Sequence, residues 1–153
     1  MFCNRFDGVF WSKWLLKFIN KFIFTGKKYL VEKIIYLSFF YIKKNLNSSA
    51  IFFFFEVLER IKPIVGLKFY TLKKRKLKRI TAVPYIVSIS LQYKKAIFWL
   101  VNAIKLRKEK EWFLKIFQEF YDILLNKTGH SFLKKKEFYR YVILFKTAKK
   151  FKW

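Results

Sequence analysis

Positive charge is the feature that most restricts what this chain can fold into. Lys and Arg total 34 of the 153 residues, against nine Asp and Glu, so the formal net charge is +25. Mutual repulsion among so many cations opposes a compact state unless a polyanion neutralises them. Nucleic acid and an anionic membrane surface are the obvious polyanions. The charge therefore predicts a binding partner before any motif is considered.

The apolar content indicates that these cations surround a packed core. Hydrophobic residues make up 54% of the chain and aromatic residues 23%, whereas basic disordered tails lack such content. A chain of this length fits one domain with a real core. We therefore expect residues 1–153 to form a single domain, with residues 1–13 as an N-terminal extension.

Residue types that carry metal, disulfide and catalytic chemistry are scarce. Cys3 is the only cysteine and His130 the only histidine, which excludes an intrachain disulfide and a cluster of Cys or His ligands. His130 follows Gly129 and is expected to be a surface loop residue. Two acidic pairs stand one helical turn apart and are typical of solvated helix charges: Glu56 with Glu59, and Glu119 with Asp122. The sequence predicts no enzyme activity, no metal and no cofactor.

The apolar stretches are too short to cross a bilayer, which takes about 20 largely apolar residues. The longest charge-free stretch, residues 80–93, contains Pro84 and several polar residues. We therefore expect no stable membrane insertion. The alternative function is a cationic protein bound to an anionic membrane surface, which needs an amphipathic helix with a Lys-rich polar face. The clearest amphipathic segment, residues 111–124, carries Glu and Asp there instead.

Apolar residues recur at helical spacing along most of the chain. Gly26 ends the first predicted helix. Ser48 or Ser49 caps the third, which stops before Pro63 because a residue that precedes proline avoids the helical region. The first predicted helix covers residues 12–24. The helices predicted besides the first and the third cover residues 27–44, 94–107, 111–124 and 135–150.

The middle of the chain shows a strand period instead. Apolar side chains alternate with polar ones at Tyr85, Val87, Ile89 and Leu91. Residues 64–72 can supply a partner strand, and the basic run KKRKLKR lies between the two, which predicts a β-hairpin with a charged tip. The predicted fold is mainly α: a bundle of about six helices, with one long hairpin arm at residues 64–92 inserted between helices 3 and 4.

The basic run is the densest concentration of charge, with six cations in seven residues: Lys73, Lys74, Arg75, Lys76, Lys78 and Arg79. An average charge run is a solvated loop. This one stands at a predicted projecting tip, where concentrated charge gains most from phosphate contact. Other basic clusters are scattered along the whole chain, which suits a protein embedded in folded RNA better than one with a single DNA-reading helix. No base-reading motif is present, so we expect recognition of RNA shape and backbone.

Several motifs stand in the order in which one known family carries them. They are Lys17-Phe18-Ile19-Asn20 with Gly26-Lys27-Lys28, Glu59-Arg60-Ile61-Lys62-Pro63, Val83-Pro84, Trp99-Leu100-Val101, Glu119 with Asp122, and Lys134-Lys135-Lys136-Glu137 with Arg140 and Trp153. Their order and spacing resemble the universal small-subunit ribosomal protein number seven, in its bacterial and organellar form. The resemblance covers nearly the whole chain from about Trp14.

The resemblance implies a structural role in the head of the small ribosomal subunit. Such a protein binds the 3′ major domain of the small-subunit rRNA, initiates the assembly of that domain and touches neighbouring head proteins. Its hairpin lies near the E-site tRNA and the mRNA exit path, so residues 73–79 would meet those RNAs transiently. The resemblance and the charge clusters together give the expected rRNA-binding residues: Lys17, Asn20, Lys27, Lys28, Lys68, Lys94, Lys95, Lys105, Arg107, Lys134, Lys135, Lys136 and Arg140.

The chain also departs from the family pattern. The family's hairpin is shorter and carries a glycine pair, whereas the tip here is lengthened with Lys and Arg. Arginines that usually follow the Val-Pro pair are replaced by Ser88, Leu91 and Gln92, and the one before the tryptophan by Phe98. The frequent residue types, Phe, Lys, Ile, Asn and Tyr, have AT-rich codons. That bias favours an organellar gene, and we expect a mitochondrial ribosome in the matrix, with a plastid as the second choice.

Overall fold

Six helices and one two-stranded hairpin make up the part of the chain that the computed structural model describes, which is residues 12–23, 26–46, 49–74, 77–126 and 128–147. In chain order the elements are α1 (Lys13–Phe22), α2 (Lys28–Leu46), α3 (Ala50–Ile61), β1 (Val65–Lys74), β2 (Leu77–Ile86), α4 (Ile89–Leu106), α5 (Trp112–Tyr121) and α6 (His130–Thr147). A π-helical turn, Asp122–Asn126, extends α5. The hairpin lies between α3 and α4, which confirms the predicted fold class.

The first helix shows how local sequence sets both the helix start and its buried face. Ser12 has extended backbone angles at the N-cap, and its hydroxyl accepts a hydrogen bond of 3.5 Å from the backbone N–H of Leu15. The buried face repeats at helical spacing: Leu15, Phe18, Ile19 and Phe22. Lys13 is already helical, so the predicted extension ends inside α1, and residues 1–11 and Phe24 lie outside the described residues.

The aromatic ring of Phe54, on α3, is the centre of the core. It is fully buried, and its centroid lies 5.5 Å from the ring of Phe18 on α1, 6.3 Å from Phe39 on α2 and 6.2 Å from Phe120 on α5. Each such ring removes about 150–250 Å² of apolar surface from water. A single side chain therefore holds four helices together.

Pairing in the hairpin runs antiparallel from Val65 with Ile86 at the base to Lys74 with Leu77 near the tip. Close packing at the base requires a glycine. A Cβ atom on Gly66 would lie 2.8 Å from the ring of Tyr85 and 2.7 Å from Cγ2 of Val87, which is closer than real side chains approach. Glycine at this position lets the tyrosine ring lie across the first strand.

The strand predicted beyond Ile86 is wrong, because Ser88 caps α4 and helix begins at Ile89. Residues 89–92 of the predicted arm therefore belong to the bundle. In a strand, Val87 and Ile89 would share a face, yet Val87 is buried and Ile89 is 68% exposed. The buried Gln92 instead donates from Nε2 to the carbonyl of Val87 at 2.7 Å, which fixes the first helical turn. Tertiary contacts thus favour a helix in a segment whose alternation of apolar and polar residues is typical of a strand.

Other helix boundaries differ by a few residues from those predicted. α6 begins at His130, five residues before Lys135, and the predicted helical residues 148–150 lie outside those described. His130 is exposed in the first turn of α6 rather than in a loop. Among the described helices, none is long and apolar enough to span a membrane.

A buried ion network ties the end of α4 to α5 and α6. The guanidinium of Arg107 donates from Nε to Glu119 at 2.7 Å and from Nη1 to Glu109 at 3.1 Å, and Nη2 bonds Asp122. Glu119 also accepts from the backbone N–H and hydroxyl of Ser131 at 2.9 and 2.6 Å. Glu119 is completely buried, so the expectation that it is a solvated helix charge is wrong. Burial opposes the charge on Arg107, but the surrounding carboxylates outweigh it and raise the pKa of Arg107.

We expect Glu119→Ala to lower the free energy of unfolding by about 3–5 kcal/mol, because it leaves buried polar groups without their partner. The matched control is Glu137→Ala, whose carboxylate is more than half exposed and pairs with Lys134 at 3.2 Å. That change should cost about 0.5 kcal/mol or less. Urea unfolding of both variants measures the difference. Equal losses would contradict a structural role for the buried network.

Candidate nucleic-acid interface

A lysine-lined groove lies between α1 and the first half of α4. Its cavity has a volume of about 510 Å³. The α1 wall carries Lys17, Asn20 and Lys21, and the α4 wall carries Leu91, Lys94, Lys95, Ile97 and Phe98. On each helix the lining residues lie three or four positions apart, so they share one face. Two helix faces thus converge on one cationic cavity.

Among the described residues that line the groove, four are lysines and none is Asp or Glu. Partial burial lowers the pKa of Lys17, and the neighbouring charges of Lys13 and Lys94 lower it further. Neighbouring cations repel one another and attract an anion. A chain of phosphates is such an anion.

Aromatic rings hold these lysines without neutralising them. Nζ of Lys17 lies 4.5 Å from the ring centroid of Trp14, and Nζ of Lys21 lies 5.4 Å from that of Phe98. Lys95 reaches over the ring of Phe138 on α6 at 5.7 Å. A cation over an aromatic face is attracted to the ring quadrupole but keeps its full charge. The groove therefore presents ordered positive charge.

A stacked aromatic pair holds the walls of the groove. Trp14 of α1 and Tyr93 of α4 stack with centroids 4.7 Å apart. The hydroxyl of Tyr93 also bonds Glu59, at the end of α3, which pairs with Lys62. Burial opposes ionisation of Glu59, but its bonds to Lys62 and Tyr93 outweigh burial and lower the pKa of Glu59. The bond to Glu59 and burial both raise the pKa of Tyr93.

A second basic surface lies on α6. Lys136 and Arg140 are exposed one turn apart, and Lys134 is exposed but pairs with Glu137. Lys135 is half-buried and donates from Nζ to the carbonyl of Arg60 at 2.6 Å, so it fastens α6 to the end of α3. Burial, with the charge of Lys62, lowers its pKa. Three of the four cations predicted on this helix therefore face solvent.

The structure brings together only part of the predicted rRNA-binding set. Lys17, Asn20, Lys94 and Lys95 meet in the groove. The remaining exposed members lie elsewhere: Lys27 precedes α2, Lys28 begins it, Lys68 is on β1, and Lys105 is in the last turn of α4. Lys28 also pairs with Glu32 at 3.6 Å.

Lys21 and Phe98 belong to the groove but are absent from the predicted set. Lys21 lies four residues after Lys17, and Phe98 lies four residues after Lys94. Because residues four apart share a helix face, this spacing was a signal in the sequence that both would join their neighbours. The sequence carried no signal that α1 and α4 would face each other.

Arg107 must be removed from the predicted rRNA-binding residues. Its side chain is 7% exposed, and its guanidinium is engaged by Glu109, Glu119 and Asp122. A phosphate would have to displace carboxylates in a buried site, where an uncompensated charge is costly. The charge of Arg107 therefore stabilises the fold and is not available to RNA.

The basic tip is described in part. Lys73 and Lys74 close β1, and Lys78 and Arg79 lie in β2, with Lys73 opposite Lys78 across the hairpin. Arg75 and Lys76 lie outside the described residues. Within the described ranges, no group of three or more Asp, Glu, His or Cys side chains is arranged to hold a metal ion.

Comparison with known proteins places the chain among the ribosomal proteins, which are structural components and not enzymes. A family model described as ribosomal protein S7p/S5e matches residues 4–143. A protein named small ribosomal subunit protein uS7 from Sulfurimonas denitrificans is 36% identical over 151 residues, covering 96% of this chain and 92% of that protein. A protein of the same name from Wigglesworthia glossinidia brevipalpis is 34% identical, and the match covers 93% of this chain and 88% of that protein. Another of the same name, from Pelagibacter ubique, is 31% identical, and the match covers 96% of this chain and 91% of that protein. The chain belongs to the ribosomal protein S7p/S5e family.

We expect Lys94→Gln to raise the pKa of Lys17, because it removes one of the two positive charges that lower this pKa. Titration of the lysine side-chain signals by NMR measures the change. Lys33→Gln, on the exposed face of α2, is the control and should leave the Lys17 signal unaltered. If the pKa of Lys17 is the same in both variants, the ammonium groups of Lys17 and Lys94 are not close enough to interact.

Proposed function

We propose that this protein is a structural constituent of the small-subunit head, where it binds the 3′ major domain of the small-subunit rRNA and initiates assembly of that domain. Membership of the S7p/S5e family and relatives named as small ribosomal subunit proteins support this proposal. The net charge of +25 matches a polyanionic partner that surrounds much of the protein.

The lysine-lined groove is the single observation that carries the RNA-binding proposal. Its four lysines have no Asp or Glu beside them in the part of the lining that the structure describes, so phosphate oxygens are the natural counter-charge. The exposed cations of α6, Lys134, Lys136 and Arg140, extend the proposed surface, since Lys95 reaches from the groove to Phe138 on that helix. Contacts of this kind fix the position of RNA without reading its sequence.

We propose a different partner for the hairpin tip. The basic run belongs to the far end of the paired strands β1 and β2, and we propose that it approaches the E-site tRNA and the mRNA exit path transiently. The outer face of α2 is suited to a third kind of partner, a neighbouring head protein. That face carries exposed apolar side chains, among them Leu37, which is 46% exposed, and Phe40, which is 68% exposed.

We further propose that the protein works in a mitochondrial ribosome, because its most frequent residue types have AT-rich codons and such a bias favours an organellar gene. Sedimentation of the native protein from fractionated cells tests this placement. Recovery with mitochondrial small-subunit particles is the expected result. Recovery with plastid particles would show that the protein works in a plastid instead. Recovery in membranes, with loss from ribosomal particles, would overturn the function and favour the membrane-surface alternative.

We expect a groove variant, with Gln at Lys17, Lys21, Lys94 and Lys95, to bind a transcript of the 3′ major domain more weakly and with less dependence on salt. Each lost phosphate contact lowers the log–log salt slope by roughly 0.7–0.9, so four should lower it by about 3. The matched control puts Gln at four exposed lysines outside the groove: Lys33, Lys43, Lys44 and Lys110.

Fluorescence anisotropy over a salt series measures both slopes. Because the two variants have the same net charge, a larger fall in the groove variant identifies the groove as the site of phosphate contact. Equal falls would mean that overall charge alone attracts the RNA.

A further inference from the structure

We propose that the groove between α1 and α4 holds one unstacked nucleotide of the RNA, with its base against Phe98 and its phosphates on the surrounding lysines. The inference rests on the proposed rRNA binding and goes beyond it, because it names the form of RNA that the groove accepts. Paired RNA presents a continuous sugar–phosphate surface with its bases stacked inside. An unpaired nucleotide can turn its base outward into a cavity.

The shape of the groove favours such a nucleotide. The groove is a concavity of about 510 Å³. That volume lies within the range of about 300–1,000 Å³ found for pockets that enclose small molecules. One base with its sugar is a ligand of that class.

The floor of the groove is apolar, which phosphate binding alone does not explain. Leu91 and Phe98, which line it, are 43% and 47% exposed, and the buried Ile97 also contributes to the lining. Exposed apolar surface is unfavourable in water. A base offers a flat aromatic face that covers such a floor, and stacking of this kind tolerates any of the four bases.

Phosphate donors stand beside the stacking surface. Nζ of Lys21 lies over the ring of Phe98, 5.4 Å from its centroid. Lys94 is close enough to Lys17 for its positive charge to lower the pKa of Lys17. Asn20, also in the lining, has a side-chain amide that can both donate to and accept from a base edge. The aromatic ring of Phe98 can therefore stack on the base, the amide of Asn20 can bond the edge of the base, and the lysine ammonium groups can bind the phosphates.

Two RNA probes distinguish an unstacked nucleotide from a paired backbone. One is a short RNA duplex, and the other is the same duplex with a single bulged 2-aminopurine. The full-length protein should bind the bulged probe about tenfold more tightly, which is the usual size of one base–aromatic stack. Quenching of the 2-aminopurine fluorescence should accompany binding.

Phe98→Ala should bind the bulged probe no better than the paired one, while its affinity for the paired probe stays unchanged. Phe98→Tyr keeps the ring and should keep the preference. Phe40→Ala removes an exposed phenylalanine from α2, outside the groove, and should also keep it. Phe98 is half exposed, so its loss should leave the thermal unfolding midpoint close to that of the wild type, which a melting curve verifies.

The outcomes separate the two proposals. If the wild-type protein binds both probes equally, the nucleotide site is overturned while RNA binding stands. If the preference survives in Phe98→Ala, the unpaired nucleotide binds elsewhere and the groove assignment is overturned. If the wild-type protein binds neither probe, the proposed RNA-binding function fails as well.

Discussion

The packing of aromatic rings around Phe54 is the interaction on which the rest of the structure depends. Four helices converge on that buried ring, through Phe18, Phe39 and Phe120. A chain with a net charge of +25 is pushed apart by its own cations. Burial of large rings supplies a cohesive force that does not depend on charge, and it comes from residues spread over most of the chain. The cationic surface can exist because this core holds it.

Several of the acidic residues order the fold and lie outside the described lining of the groove. Glu119 and Asp122 hold Arg107 at the junction of α4 with α5 and α6, and Glu59 joins Lys62 to Tyr93 beside the groove. The formal charge that remains over the chain is positive, at +25. The described lining of the groove contains no carboxylate that would compete with a phosphate, which favours this groove as the proposed binding site.

Prediction from sequence succeeded where the signal is local and failed where two elements must meet. Ser49 and Pro63 marked the start and the end of α3, because helix-start preferences and the geometry before proline act within a few residues. The segment after Ile86 alternates like a strand, yet the bond from Gln92 to Val87 makes it helical. Arg107 resembled any other exposed cation, since nothing near it in sequence shows that Glu119, twelve residues later, folds back to enclose it.

The sequence by itself determined that this protein is mainly helical, carries one hairpin and has a large excess of positive charge, because periodicity, turn residues and net charge are properties of the chain alone. Its motifs also pointed to the S7p/S5e family, which the family model bears out. Only the tertiary structure decided which cations act together. Lys17 and Lys94 are far apart in the chain, and they come to share one groove because burial of the apolar faces of α1 and α4 fixes how those helices pack. The tertiary structure also showed that Phe98, which departs from the family pattern, lines this groove. It showed as well that Arg107 is buried.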